Sequence, residues 1–179
     1  GTRVSTHLWR IYNEVDSRLW DVHRLKHVMT PAAAGFLGCA GGVGPSDVFP
    51  MDPYTERLLR RTSGWSVGLY QRLQTKRGKP GERRTVDWMR LNVVAGFYSQ
   101  DGDPLPADGR FFPYRPEYSL ARDHLNLEYF WALSDATSFL GDVNYDWDRG
   151  SIRRWNAGLA VRRSPRLAYF LGMRSIRDM

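Results

Sequence analysis

Asp142, Asn144 and Asp146 stand at every second position of one segment, and Arg154, Asn156 and Arg162 keep the same even-numbered spacing just downstream. Asn126 and Glu128 precede them, with Arg72, Arg90 and Asn92 earlier in the chain and Arg174 near its end. Positions two apart share a face of a strand, so these residues can be collected on a single polar surface. Arginine forks bind phosphate through paired charge-assisted hydrogen bonds. Carboxylates beside them can also simply cancel the charge. The chemistry open to such a set is therefore ligand binding, for instance the passage of a phosphorylated head group.

Turnover chemistry has no comparable pattern. His7, His23, His27 and His124 are accompanied by neither a Gly-x-Ser-x-Gly nor a His-Glu-x-x-His motif. An outer-membrane enzyme would need His7 or His124 to meet a serine and an acid across a barrel. The expectation is a protein that is not an enzyme and uses no cofactor. His23 and His27, at i and i+4, would share a strand face, but with no third ligand nearby no metal is expected. Asp142 and Asp146 share a face too, without the glycine-bearing loop of a calcium site.

The elements that must position the polar set are strands. From Thr137 to Asp148 the odd positions are Phe139, Gly141, Val143, Tyr145 and Trp147, opposed by Leu140, Asp142, Asn144 and Asp146. The Asp148-Arg149-Gly150 tripeptide predicts a tight turn with glycine at positive φ. Trp155, Ala157, Leu159 and Val161 then oppose Arg154, Asn156, Gly158, Ala160 and Arg162. Past Ser164-Pro165, Leu167, Tyr169, Leu171 and Met173 resume the apolar face. Upstream, Leu125, Leu127, Tyr129, Trp131 and Leu133 alternate with Asn126, Glu128 and Phe130. Four further strands are predicted near Arg3–Tyr12, His23–Gly38, Gly64–Arg77 and Thr85–Ser99, with a bulge or bend in the second at Pro31. The fold class is thus all-β: an antiparallel up-and-down meander of about eight long strands, forming one domain over residues 1–179.

Loop lengths are uneven. Connections near Cys39–Ser63 and Gln100–His124 are long and rich in Gly, Pro and Asp, whereas those at Gly78–Arg84, Ser134–Ala136 and Ser164–Pro165 are short. In a meander both long ones share an end with the turn at Gly150, as outer-membrane barrels arrange theirs. Predicted strands of roughly ten to fourteen residues exceed the usual five or six and meet the nine to eleven that a tilted crossing takes. Trp9, Tyr12, Trp65, Trp88, Tyr98, Trp131, Tyr145, Trp147 and Tyr169 gather near strand ends, where interfacial girdles place them. Mean hydropathy is −0.50, and no run of about eighteen uncharged apolar residues could form a spanning helix. A barrel's hydropathy stays low because its two faces average.

The formal charge is +7, compatible with nucleic acid or an anionic lipid surface. The basic run from Lys76 to Arg84 reads as a hairpin tip. No nucleic-acid motif accompanies it, so a solvated turn or a contact with anionic head groups is expected and nucleic acid is not. The single cysteine, Cys39, excludes an internal disulfide. Met29–Gly44 has the look of a signal segment and is read as a strand running into a loop. A start at Gly1 reads as a mature chain or a fragment.

Asp16–Pro31 (DSRLWDVHRLKHVMTP), the acidic loop around Phe49 and Asp52, and Gly64–Arg77 (GWSVGLYQRLQTKR) follow one another in an order that resembles the C-terminal barrel of the LPS-assembly protein family, also called organic solvent tolerance protein or LptD. Trp88–Tyr98 continues the resemblance, and Phe112–His124 is loosely similar to a later loop. The spacing of Arg24 and His27 departs from the family pattern, as does the ending Arg177-Asp178-Met179, without a terminal aromatic residue. The resemblance implies a bacterial outer-membrane location, lipopolysaccharide as cargo and outer-membrane lipid as surroundings. It also implies a lipoprotein plug and periplasmic bridge proteins as partners. The family's barrel has more strands, so a barrel fragment is implied. The other reading open from the residues is a small eight-stranded barrel that binds a lipid or other small ligand.

Overall fold

The alternating segments pair with their neighbours in chain order. The computed structural model describes residues 1–39, 61–99, 123–147 and 149–177. Its elements are β1 (Thr2–Ser5), β2 (Leu8–Ser17), β3 (Val22–Cys39), β4 (Arg61–Arg77), β5 (Arg84–Tyr98), β6 (His124–Ala132), β7 (Thr137–Asp146), β8 (Ser151–Ser164) and β9 (Leu167–Ile176). They form one antiparallel sheet in the order β1-β3-β4-β5-β6-β7-β8-β9, while β2 pairs with the rest of β3. β1 covers Ala32–Gly35 and β2 covers Val22–Met29 on the same edge of β3. Nine elements therefore fill eight places in the sheet. Within the described residues β1, β2 and β9 are its outer members, with no pairing between them.

Pro31 explains why the first strand is split. β3 itself runs without a break through Thr30, Pro31 and Ala32 against Tyr70, Leu69 and Gly68. The expected irregularity lies instead in the neighbour, at Thr6 and His7. Pro31 has no N–H to offer that side, and the Thr6 N–H donates to its carbonyl at 3.2 Å. A second irregularity, at Arg24 (φ 60°), was not predicted.

That bulge corrects one expectation. His27 pairs with Leu73 and His23 with Lys76, so the extra residue between them puts the two histidines on opposite faces. His27 Nε2 lies 3.2 Å from Gln71 Oε1, and the His23 ring sits between Asp16 and Asp21, each at 3.1 Å.

Register makes one face predominantly apolar, interrupted by the His27–Gln71 pair and by Ser175. A single row across the strands reads Pro31, Leu69, Val93, Leu127, Val143 and Trp155, and the next reads Met29, Gln71, Leu91, Tyr129, Gly141, Ala157 and Met173. Trp65 stacks on its partner Phe97 at 4.2 Å on this face. Little covers it. Val22 is the sole buried hydrophobic residue among those described, while Trp65 is 56% and Leu171 73% exposed. An ordinary domain buries such a face against a second layer, because each large apolar side chain left in water forgoes about 1.5–3 kcal/mol.

The turns at 18–21, 78–83, 133–136 and 165–166 all lie at one end of the sheet. The turn at 147–150 lies at the other, where β3 ends and β4 begins and where β5 ends and β6 begins. The long connections themselves, residues 40–60 and 100–122, lie outside the described residues, as does Asp148. Gly150 has φ 58°, as a tight turn there requires, and its N–H donates to the Trp147 carbonyl.

Arg77 clasps the short-turn end. Only 2% exposed, its guanidinium donates to the carbonyls of Trp20 (3.2 Å) and Ala132 (2.7 Å) and lies 3.8 Å from Asp135. Asp135 also takes Arg84 at 2.8 Å. Above the clasp Trp20 packs on Trp131, with ring centroids 5.0 Å apart.

Candidate functional site

On the face opposite the apolar one, register assembles a polar row. It runs Thr30, Tyr70, Asn92, Glu128, Asp142, Asn156 and Arg174, one residue per strand from β3 to β9. Asn126, Asn144 and Arg154 make the adjoining row on the long-connection side. Arg72 and Arg90, directly paired, flank it on the short-turn side. Ten of the polar residues expected from sequence thus share one patch. Asp146 and Arg162 do not: Asp146 is buried at the far end, where it accepts the Arg149 N–H at 3.0 Å, and Arg162 pairs with Ala168 at the short-turn end.

Two carboxylates organise the patch. Asp142 accepts from Arg154 Nε at 3.0 Å and from Asn156 Nδ2 at 2.6 Å. Glu128 is exposed and accepts amide hydrogens from Asn92 (3.1 Å) and Asn126 (3.4 Å). Arg72 lies 3.5 Å from Asp87, which also accepts from Gln74 at 2.9 Å. The guanidinium of Arg90 lies 4.5 Å from the centre of the Phe130 ring, an attraction worth about 0.5–1 kcal/mol at an exposed site.

A groove of about 560 Å³ runs over this row, bounded by Arg90, Glu128, Phe130, Asp142, Arg154 and Phe170. A second, of about 480 Å³, lies nearer the long connections, between Arg3, Phe36, Tyr98 and His124. Its floor is made of small residues. A side chain added at Gly64 would meet the Phe36 ring at 2.6 Å, and one at Gly96 the His124 ring at 2.7 Å. The same device recurs at the last strand pair, where Phe170 lies across Gly158 and Gly172. His124 is thus an aromatic cover for glycine, and His7 sits exposed in the break between β1 and β2.

Sequence reasoning did not single out Thr30, Tyr70, Phe130 and Phe170. Their even-numbered parity was available, but an aromatic ring on a polar face carries no signal until the glycine beneath it is located. Against protein-family models, curated proteins and solved structures, the chain has no match.

Proposed function

We propose that this chain is an outer-membrane β-barrel, or a strand block of a larger one, of the lipopolysaccharide-assembly type. It takes part in transporting lipopolysaccharide and inserting it into the outer leaflet, and does so without turnover chemistry. The carrying observation is the uncovered apolar face: six consecutive strands, β3 to β8, present it in register from Pro31 to Trp155, with Val22 the sole buried hydrophobic among the described residues. Lipid is a physically sufficient cover for such a face. β3, β4 and β5, at 18, 17 and 15 residues, exceed the roughly nine to eleven that a tilted crossing needs.

The opposite face supports the cargo. A phosphorylated sugar calls for an arginine fork beside polar amides, and exposed Arg90 stands next to Asn92 on this face. A lipoprotein plug and periplasmic bridge proteins are the partners this reading calls for. Photo-crosslinking in a Gram-negative host tests it. A crosslinking residue at Asn92 or Asn156 is expected to capture lipopolysaccharide, and one at Leu69 or Val93 to capture phospholipid. No lipopolysaccharide adduct above background at either polar position would refute the cargo assignment.

The small ligand-binding barrel remains the second reading, favoured by the 560 Å³ groove and the eight strand places. It requires β9 to pair with the first strand, and both edges are open within the described residues.

A further inference from the structure

We infer that the short-turn end is a docking surface for anionic phospholipid head groups, an inference that rests on the membrane reading above. Arg18, Lys76, Lys79, Arg83, Arg163 and Arg166 are all exposed there, on three separate turns and the strand end beside them. None has an ion pair with another described residue, although Asp135, Asp16 and Asp21 at the same end are each engaged with Arg77, Arg84 or His23. Three of the acids at this end are thus consumed locally, and Glu82 in the 78–83 turn is outnumbered by the six cations.

Position makes the cations specific for a membrane surface. The apolar row nearest the turns that crosses from β4 to β9 is Leu73, Met89, Trp131, Phe139, Leu159 and Leu171. Lys79 and Arg83 lie in the turn that follows β4, beyond Leu73. Arg163 and Arg166 close the β8–β9 turn just beyond Leu159. Phosphates occupy this level when the apolar row lies at the hydrocarbon boundary. Each such cation is worth about 1 kcal/mol near an anionic surface, a several-fold gain per residue, and salt screens it.

The test uses the intact chain reconstituted in phosphatidylcholine nanodiscs, with tryptophan quenching by brominated phosphatidylglycerol compared with brominated phosphatidylcholine. The native chain is expected to favour the anionic lipid by about tenfold at low salt and to lose that preference near 1 M salt. Replacing Arg18, Lys79, Arg83, Arg163 and Arg166 by Gln is expected to bring the ratio to about one while quenching by phosphatidylcholine persists. Quenching by neither lipid would defeat the membrane reading itself. Equal quenching of the native chain by both, as a basic end meant for a soluble acidic protein would give, overturns this inference alone.

Discussion

Glu128 and Asp142 stand directly opposite one another on β6 and β7, two carboxylates in register on the polar face. Like charges in that relation destabilise a sheet by a few tenths to 1 kcal/mol, and each is relieved differently, Glu128 by amides and Asp142 by Arg154. Glu128→Gln is therefore expected to be neutral or to stabilise the chain by up to about 1 kcal/mol. Arg154→Met should cost about 2–4 kcal/mol, since it strands Asp142 beside a second carboxylate. Urea unfolding of the two variants in lipid vesicles checks the opposite signs.

Removing the Arg77 clasp is expected to loosen the short-turn end. Arg77→Met leaves the Trp20 and Ala132 carbonyls without their donor and should cost about 2–4 kcal/mol. Arg77→Lys should recover less than half, because the shorter ammonium must serve the carbonyls that Nη2 reaches and leaves Asp135 without its Nη1 partner. Thermal unfolding followed by circular dichroism, with hydrogen exchange read at residues 18–21 and 133–136, distinguishes the two.

Phe170 and Gly172 are coupled through space. A methyl at position 172 would come within 2.6 Å of the Phe170 ring, so Gly172→Ala alone should destabilise the β8–β9 pair by about 1–3 kcal/mol. In a Phe170→Ala background the same change should cost under about 0.5 kcal/mol. A double-mutant cycle on unfolding free energies measures the difference.

The strands were legible in the sequence because the face each residue takes follows from period two. Leu125 to Leu133 and Thr137 to Asp148 predicted two neighbouring strands of a meander, as β6 and β7 are. What escaped was set by single residues acting on a neighbour. Pro31 broke the adjacent strand in place of its own, and the bulge at Arg24 moved His23 to the other face. Arg77 read as one more cation in a basic run, yet it is buried beneath two turns that converge from far apart in the sequence. The polar patch was largely recoverable; its aromatic covers over glycine were not, because that pairing depends on which strand lies alongside.

β4 reports directly which face meets lipid. With Cys39 replaced by Ser, single spin labels at positions 65 to 70 in lipid vesicles should alternate with period two. Labels at Trp65, Val67 and Leu69 should collide with dissolved oxygen, and those at Ser66, Gly68 and Tyr70 with a water-soluble nickel chelate. Absence of alternation, or nickel access at Val67 and Leu69 with oxygen at Ser66 and Tyr70, would contradict the assignment of the apolar face to the membrane.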